Sequence, residues 1–148
     1  MERKMKVGIV TFNSAHNYGA VLQAWALQRF LSLEGHKPTV INYRLPAIDN
    51  VYRLYKPETP YKDAKKNKEH QAKQLAEVKK KHPDKVLAHQ RFERFISGAL
   101  NTTKAYTSFK DLKAAKLGMD ALITGSDQVW NTGLTKGINP AYLLDFGP

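Results

Sequence analysis

The sequence contains no cysteine, and that absence excludes disulfides, thiolate nucleophiles and cysteine-based zinc or iron–sulfur sites. It also lacks any apolar run long enough to span a bilayer. After the basic start Met1-Glu2-Arg3-Lys4-Met5-Lys6, the apolar stretch is interrupted at Asn13, Ser14, His16 and Asn17 before it reaches the length of a signal-peptide core. A soluble, cytoplasmic protein is the expectation, and the glycosylation sequon Asn101-Thr102-Thr103 is then without consequence. No internal repeat or low-complexity tract is present. Nor is there a Gly-x-Gly-x-x-Gly fingerprint or a phosphate-binding loop ending in Gly-Lys-Ser/Thr.

Acidic residues are scarce: 13 Asp and Glu stand against 24 Lys and Arg, for a formal net charge of +11. The excess is uneven. Lys62 to Arg94 holds eleven Lys or Arg and five acids. A run of this kind is usually a solvated helix face, and peripheral attraction to an anionic membrane is compatible with it. Together with Tyr52-Arg53-Leu54-Tyr55-Lys56 it also admits a nucleic-acid-binding module as a rival reading.

What is present describes one α/β domain. The length of 148 residues and the hydrophobic fraction of 42% suit a single globular core. Lys6 to Phe12 is short, β-branched and apolar, as a central parallel strand covered on both faces should be. Gly19 to Glu34 reads as a helix, N-capped by Asn17 and stopped by Gly35. Its apolar residues Val21, Leu22, Trp25, Leu27, Phe30 and Leu31 spread around the circumference, which predicts a largely buried helix. Lys37 to Tyr43 is the second strand, so the three elements form a βαβ unit.

Residues 44–61 read as a surface loop because Pro46, Pro57 and Pro60 oppose a helix. Residues 62–82 read as a basic, polar helical insertion that is loosely docked. Pro83 fits the first position of a new helix, whose Phe92, Phe95, Ile96, Ala99 and Leu100 mark a core face. Ser108-Phe109-Lys110-Asp111 has capping-box spacing and starts a short helix to about Lys116. Ala121 to Thr124 is the third strand, and Ala141 to Phe146 is a candidate fourth element.

Two constellations carry chemistry. Gly125-Ser126-Asp127-Gln128-Val129-Trp130-Asn131 follows the third strand, and ligands of open α/β sheets bind at the carboxyl ends of strands. A stacking face, a carboxylate and two amides in one turn suit a sugar or another polyol better than a phosphate. The competing reading is that Trp130 covers the core edge while Asp127 or Asn131 caps a turn. The loop Asn13 to Ala20 precedes a helix N-terminus, where unpaired amides favour an anion or a hydroxyl-rich ligand; the competing reading is a capped turn in which Asn17 holds the helix and Gly19 permits close packing. His16 offers an acid there, although a lone loop histidine is more often a packing residue. His36, His70, His82 and His89 show no close pairing with one another or with carboxylates, so no metal site is expected.

Asn17-Tyr18-Gly19-Ala20-Val21-Leu22-Gln23-Ala24 and Asp120-Ala121-Leu122-Ile123-Thr124 followed by the Gly125 to Asn131 turn closely resemble the polysaccharide pyruvyl transferase family. Tyr142-Leu143-Leu144-Asp145-Phe146 is similar to the segment that follows in that family. The resemblance implies a Rossmann-like parallel sheet with flanking helices, as the incomplete amino-terminal domain of a two-domain enzyme arranged like one class of glycosyltransferases (GT-B-like). Members of the family are more than twice as long. They move pyruvate from the co-substrate phosphoenolpyruvate to two hydroxyls of a hexose, as a cyclic ketal, and need no other cofactor. The basic residues that meet the donor lie mainly in the other half.

By that resemblance this chain supplies the acceptor side for a sugar of a cell-surface polysaccharide or its lipid-linked precursor, with a carboxyl-terminal half or complementary chain as partner. Asp127 is then the catalytic candidate. Asn17, Tyr18, Gly19, Gln23, Gly125, Ser126, Gln128, Trp130 and Asn131 are the substrate-binding candidates. The isolated chain is expected to be inactive, and an inert remnant or scaffold is the remaining alternative.

Overall fold

The computed structural model describes residues 3–55 and 59–147; Lys56 to Glu58, with the expected helix breaker Pro57, lie outside the described residues, as do Met1, Glu2 and Pro148. Strands β1 (Lys6–Val10), β2 (Lys37–Val40) and β3 (Ala121–Thr124) form a parallel sheet in the order β2-β1-β3. The helices are α1 (Tyr18–Leu33), α2 (Pro46–Asp49), α3 (Ala64–Lys81), α4 (Pro83–Ala99), α5 (Phe109–Ala114) and α6 (Thr132–Thr135), with a 3-10 turn at Asn50–Tyr52 after α2. The chain is mixed α/β, as its sequence pattern requires.

Strand β1 is central, with Ile9 opposite Val40 on one side and Ile123 on the other. Its pleat sends Val7 and Ile9 to one face and Gly8 and Val10 to the other. On the first face Val7 and Ile9 pack with Ala24 and Leu31 of α1 and with Leu100 beyond α4. On the second, Val10 joins Ile41, Leu112 of α5, Val129, Ala141 and Tyr142. Burial on both sides is why this strand carries no polar alternation. Gly8 lies at a close approach: a Cβ there would lie 2.6 Å from Leu122 Cδ2 and 2.9 Å from Ile41 Cδ1, so both side-chain ends would have to move to admit one.

The local start signals act as their chemistry predicts. Asn17 Oδ1 accepts from Ala20 N at 3.2 Å and caps α1. Pro83 occupies the first turn of α4. Ser108 Oγ accepts from Asp111 N at 3.1 Å and donates to Asp111 Oδ2 at 2.7 Å, opening α5. Helix α3 buries no residue, consistent with its polar sequence.

Three expectations need correction. Helix α1 is not largely buried: Ala20, Val21, Ala24 and Leu31 face the core, while Leu22, Trp25, Phe30 and Leu33 are exposed. A sheet this narrow covers only one side of it. Residues 44–61 are not simply a loop, because Pro46 stands at the start of α2, where a missing N–H costs nothing, and Ile48 is buried. The additional pairing also comes from elsewhere. Ala141 to Phe146 folds as successive turns, whereas Thr102 and Tyr106 form parallel bridges to Val40 and Tyr43 beside β2. No described helix is long and apolar enough to cross a membrane.

Candidate functional site

Because β1 and β3 are adjacent and parallel, the loops after their carboxyl ends lie side by side. Gly125 N donates to Val10 O at 2.8 Å, which carries the strand pairing into the turn. A Cβ on Gly125 would lie 2.8 Å from Thr11 Cβ and 3.0 Å from Gln23 Oε1, so only glycine lets the two loops meet. Gln23 reaches back from α1 to the same place, its Nε2 donating to Thr11 Oγ1 at 2.6 Å and to Ala20 O at 3.0 Å. Asn13 is buried and donates from Nδ2 to Asn42 Oδ1 at 3.1 Å.

Asn13 Oδ1, Gln23 Oε1 and Asp127 Oδ2 are buried without a hydrogen-bond partner, as is Gln74 Oε1 on α3. Unpaired buried polar atoms are uncommon and call for a physical account. All four are acceptors. The group that would complete each is therefore a donor.

The Gly125 to Asn131 turn is held largely by its own atoms. Asp127 Oδ1 accepts from Gln128 N at 2.7 Å, and Asp127 O accepts from Val129 N at 2.7 Å. Asn131 caps α6 by accepting from Gly133 N at 3.0 Å, and its Nδ2 donates to Gln128 Oε1 at 3.0 Å. Both ends of the Asn131 amide are thus engaged within the protein, and Gln128 keeps its amide donor free of that bond. Val129 plugs the core, while Ser126 stands exposed.

Trp130 is pinned and exposed at once: Nε1 donates to Tyr142 O at 3.0 Å, yet the residue is 70% accessible. Beneath it Tyr142 is fully buried, edge-on to Phe12 at 5.3 Å and to Tyr43 at 5.9 Å. Burial pushes the Tyr142 phenol well above its ordinary range, and Tyr43, Asp49 and Asp127 add to that push.

The first loop divides its candidates. Asn17 and Gly19 make the capped turn, with Asn17 Oδ1 only 3.1 Å from where a Gly19 Cβ would lie. Tyr18 leans the other way, onto Phe92 at 4.9 Å, and lines an apolar cavity of about 430 Å³ between α1 and α4 with Val21, Leu22 and Phe95. Of the first-loop candidates, Gln23 is the one that touches the Gly125 turn.

His16 does not stand alone, which corrects both its reading as a lone loop histidine and the reading of His89 as unpaired. Its Nε2 lies 2.7 Å from Glu93 Oε1, and its ring lies 4.4 Å from that of His89. His89 and Glu93 sit one turn apart on α4, a spacing visible in the sequence; their approach to His16 is a tertiary contact that is not. Burial and neighbouring His16 lower the pKa of His89, with Glu93 opposing. These residues border a cavity of about 370 Å³ together with Ser14, Asp49 and Tyr52. Arg44 also borders it, but its Nε is paired to Asp49 Oδ2 at 2.9 Å.

The family model described as polysaccharide pyruvyl transferase matches residues 17–147, nearly the whole chain. The chain belongs to the polysaccharide pyruvyl transferase family. No curated protein and no solved structure matches it. The pyruvyl transferase match takes in both Asn17 to Gln23 and Gly125 to Asn131, the stretches that the parallel sheet brings to one end. It also spans Tyr142 and the histidine-bearing face of α4. Thr11 was not singled out by sequence, and Asn13 and Tyr142 entered only as members of the loop Asn13 to Ala20 and the segment Tyr142 to Phe146, not as site residues. The polar Thr11 and Asn13 directly after an apolar strand were the available signal.

Proposed function

We propose that this chain provides the acceptor-sugar side of a pyruvyl transferase that moves pyruvate from phosphoenolpyruvate to a hexose of a cell-surface polysaccharide or its lipid-linked precursor. The observation that carries the reading is the polar Gly125 to Asn131 turn, set against Thr11 and Gln23 at the carboxyl ends of β1 and β3, with an exposed, pinned Trp130. A sugar answers both features. Its hydroxyls meet the exposed Ser126 and Gln128, and its apolar ring face lies on the indole.

Ketal formation proceeds in four bond changes. The enol methylene of phosphoenolpyruvate takes a proton, a sugar hydroxyl attacks the carbon that bears the phosphate, phosphate leaves, and a second hydroxyl closes the ring. Attack requires a base on the acceptor side, typically worth 10²–10⁴-fold. Asp127 is the candidate: Oδ1 is held by Gln128 N, and Oδ2, which has no partner and is covered in the ligand-free turn, takes the hydroxyl proton once the turn shifts to admit the acceptor. Gln128 donates to a neighbouring hydroxyl, and Asn131 positions Gln128. Gln23 orients the acceptor from the opposite loop, while Asn17, Tyr18 and Gly19 shape that loop rather than touch the reacting atoms. Ser126 borders the entrance. The acid and the cations that hold phosphate belong to a second Rossmann-like half in a GT-B-like arrangement, supplied by a further segment or a complementary chain.

The test is made in cells that produce the protein, with Asp127→Asn introduced at its own locus. Ketal-linked pyruvate in the surface polysaccharide should fall by about 10² or more, the contribution of a general base. An unchanged pyruvate content in cells that accumulate the variant normally removes Asp127 from that role.

A further inference from the structure

We propose that His16, His89 and Glu93 form a binding site for one divalent transition-metal ion, Zn²⁺ in the first instance, at the mouth of the cavity between the first loop and α4. The ligand atoms of these residues all lie within 4.8 Å of one another. Two imidazole nitrogens and a carboxylate oxygen bound at roughly 2.0–2.2 Å to a tetrahedral ion stand about 3.4 Å apart, so small side-chain rotations seat the ion. The donor set also selects the metal: imidazole suits zinc and its transition-metal neighbours, not Mg²⁺ or Ca²⁺.

The site is built rather than incidental. The His16 side chain is only 9% exposed and its ring is fixed by stacking on Phe92, at 5.3 Å and 7° between planes, with Tyr52 at 5.9 Å. His89 and Glu93 are presented from one helix face, as paired ligands on a metal-binding helix are. A simple ion pair would occupy only His16 and Glu93. It would leave the second imidazole 4.4 Å away, edge-on, where a proton on either ring opposes a proton on the other. A metal ion instead takes both rings as neutral ligands and satisfies the two imidazoles and the carboxylate together.

The protein supplies three ligands, and the fourth position opens into a cavity of about 370 Å³ that Ser14, Tyr52 and Tyr55 also border. An open position of this kind accepts water or an oxygen ligand. The inference is independent of the acceptor cleft at Asp127.

The test uses the 148-residue chain without a polyhistidine tag. Titration with Zn²⁺ should show one saturable site, and Co²⁺ should give the visible absorption of a four-coordinate ion, while Mg²⁺ does neither. His89→Gln and Glu93→Gln should each weaken Zn²⁺ binding at least about 100-fold, beyond the 10–100-fold lost with outer-shell partners. Both side chains are at least partly exposed, so the variants should keep the wild-type circular dichroism, and His70→Gln should keep wild-type affinity. Substoichiometric binding, or affinity unchanged in folded His89→Gln, overturns the proposal.

Discussion

At the scale of single residues, the loops after β1 and β3 meet because Gly125 has no side chain. A methyl group there would press within 3.0 Å of Thr11 and Gln23. Gly125→Ala should therefore cost about 1–3 kcal/mol, measured by denaturant unfolding, and should weaken acceptor binding as Gln23 is displaced. His89 gives a second prediction through pH. Its folded pKa lies below the ordinary 6.5, chiefly through burial and His16. The unfolded chain then takes up the proton first, so the stability held by neutral His89 is complete above about pH 6.5. It declines as pH falls from there towards the lowered folded value and levels off below it. His89→Gln should flatten that part of the metal-free stability curve. An equal slope in the variant would show that His89 does not set it.

At the scale of elements, the helix starts are local matters. Ser108→Ala removes both bonds that open α5 and should cost about 1 kcal/mol by thermal unfolding. Asn17, Pro83 and Ser108 were legible in the sequence because a cap depends on neighbours a turn away. The Gly125 to Asn131 turn was legible for a similar reason, since an apolar strand ending in glycine fixes where its polar residues go. What was not legible depends on distant partners. Thr102 and Tyr106 find β2 across more than sixty residues, no rule of period announces it, and the apolar circumference of α1 says nothing about how much of it the sheet covers. The meeting of His16 with α4 is of the same kind. Helix α3, with no buried residue and Lys79, Lys80 and Lys81 in its last turn, keeps its charges in solvent. It should bind vesicles containing phosphatidylserine at low ionic strength and release them as salt is added, by cosedimentation. No binding at low salt would leave it a solvated face only.

At the scale of the whole molecule, a narrow parallel sheet aligns two loops, and the rest of the chain supports them from both faces. The second core layer, from Val10 through Tyr142, reaches the Trp130 indole by the bond to Tyr142 O, so the stacking platform is fixed by the fold and not by its own turn alone. Central to this account is that Trp130 and Asp127 face one hexose. The direct measurement is tryptophan fluorescence during titration with a panel of hexose glycosides. The chain has 2 tryptophans, so a Trp25→Phe background isolates Trp130. The account predicts a saturable change with at least one hexose, weakened about tenfold or more by Asp127→Asn, since a carboxylate–hydroxyl bond contributes about 1.5–3 kcal/mol. A signal indifferent to every hexose in the panel, or binding unaltered in Asp127→Asn, would contradict it.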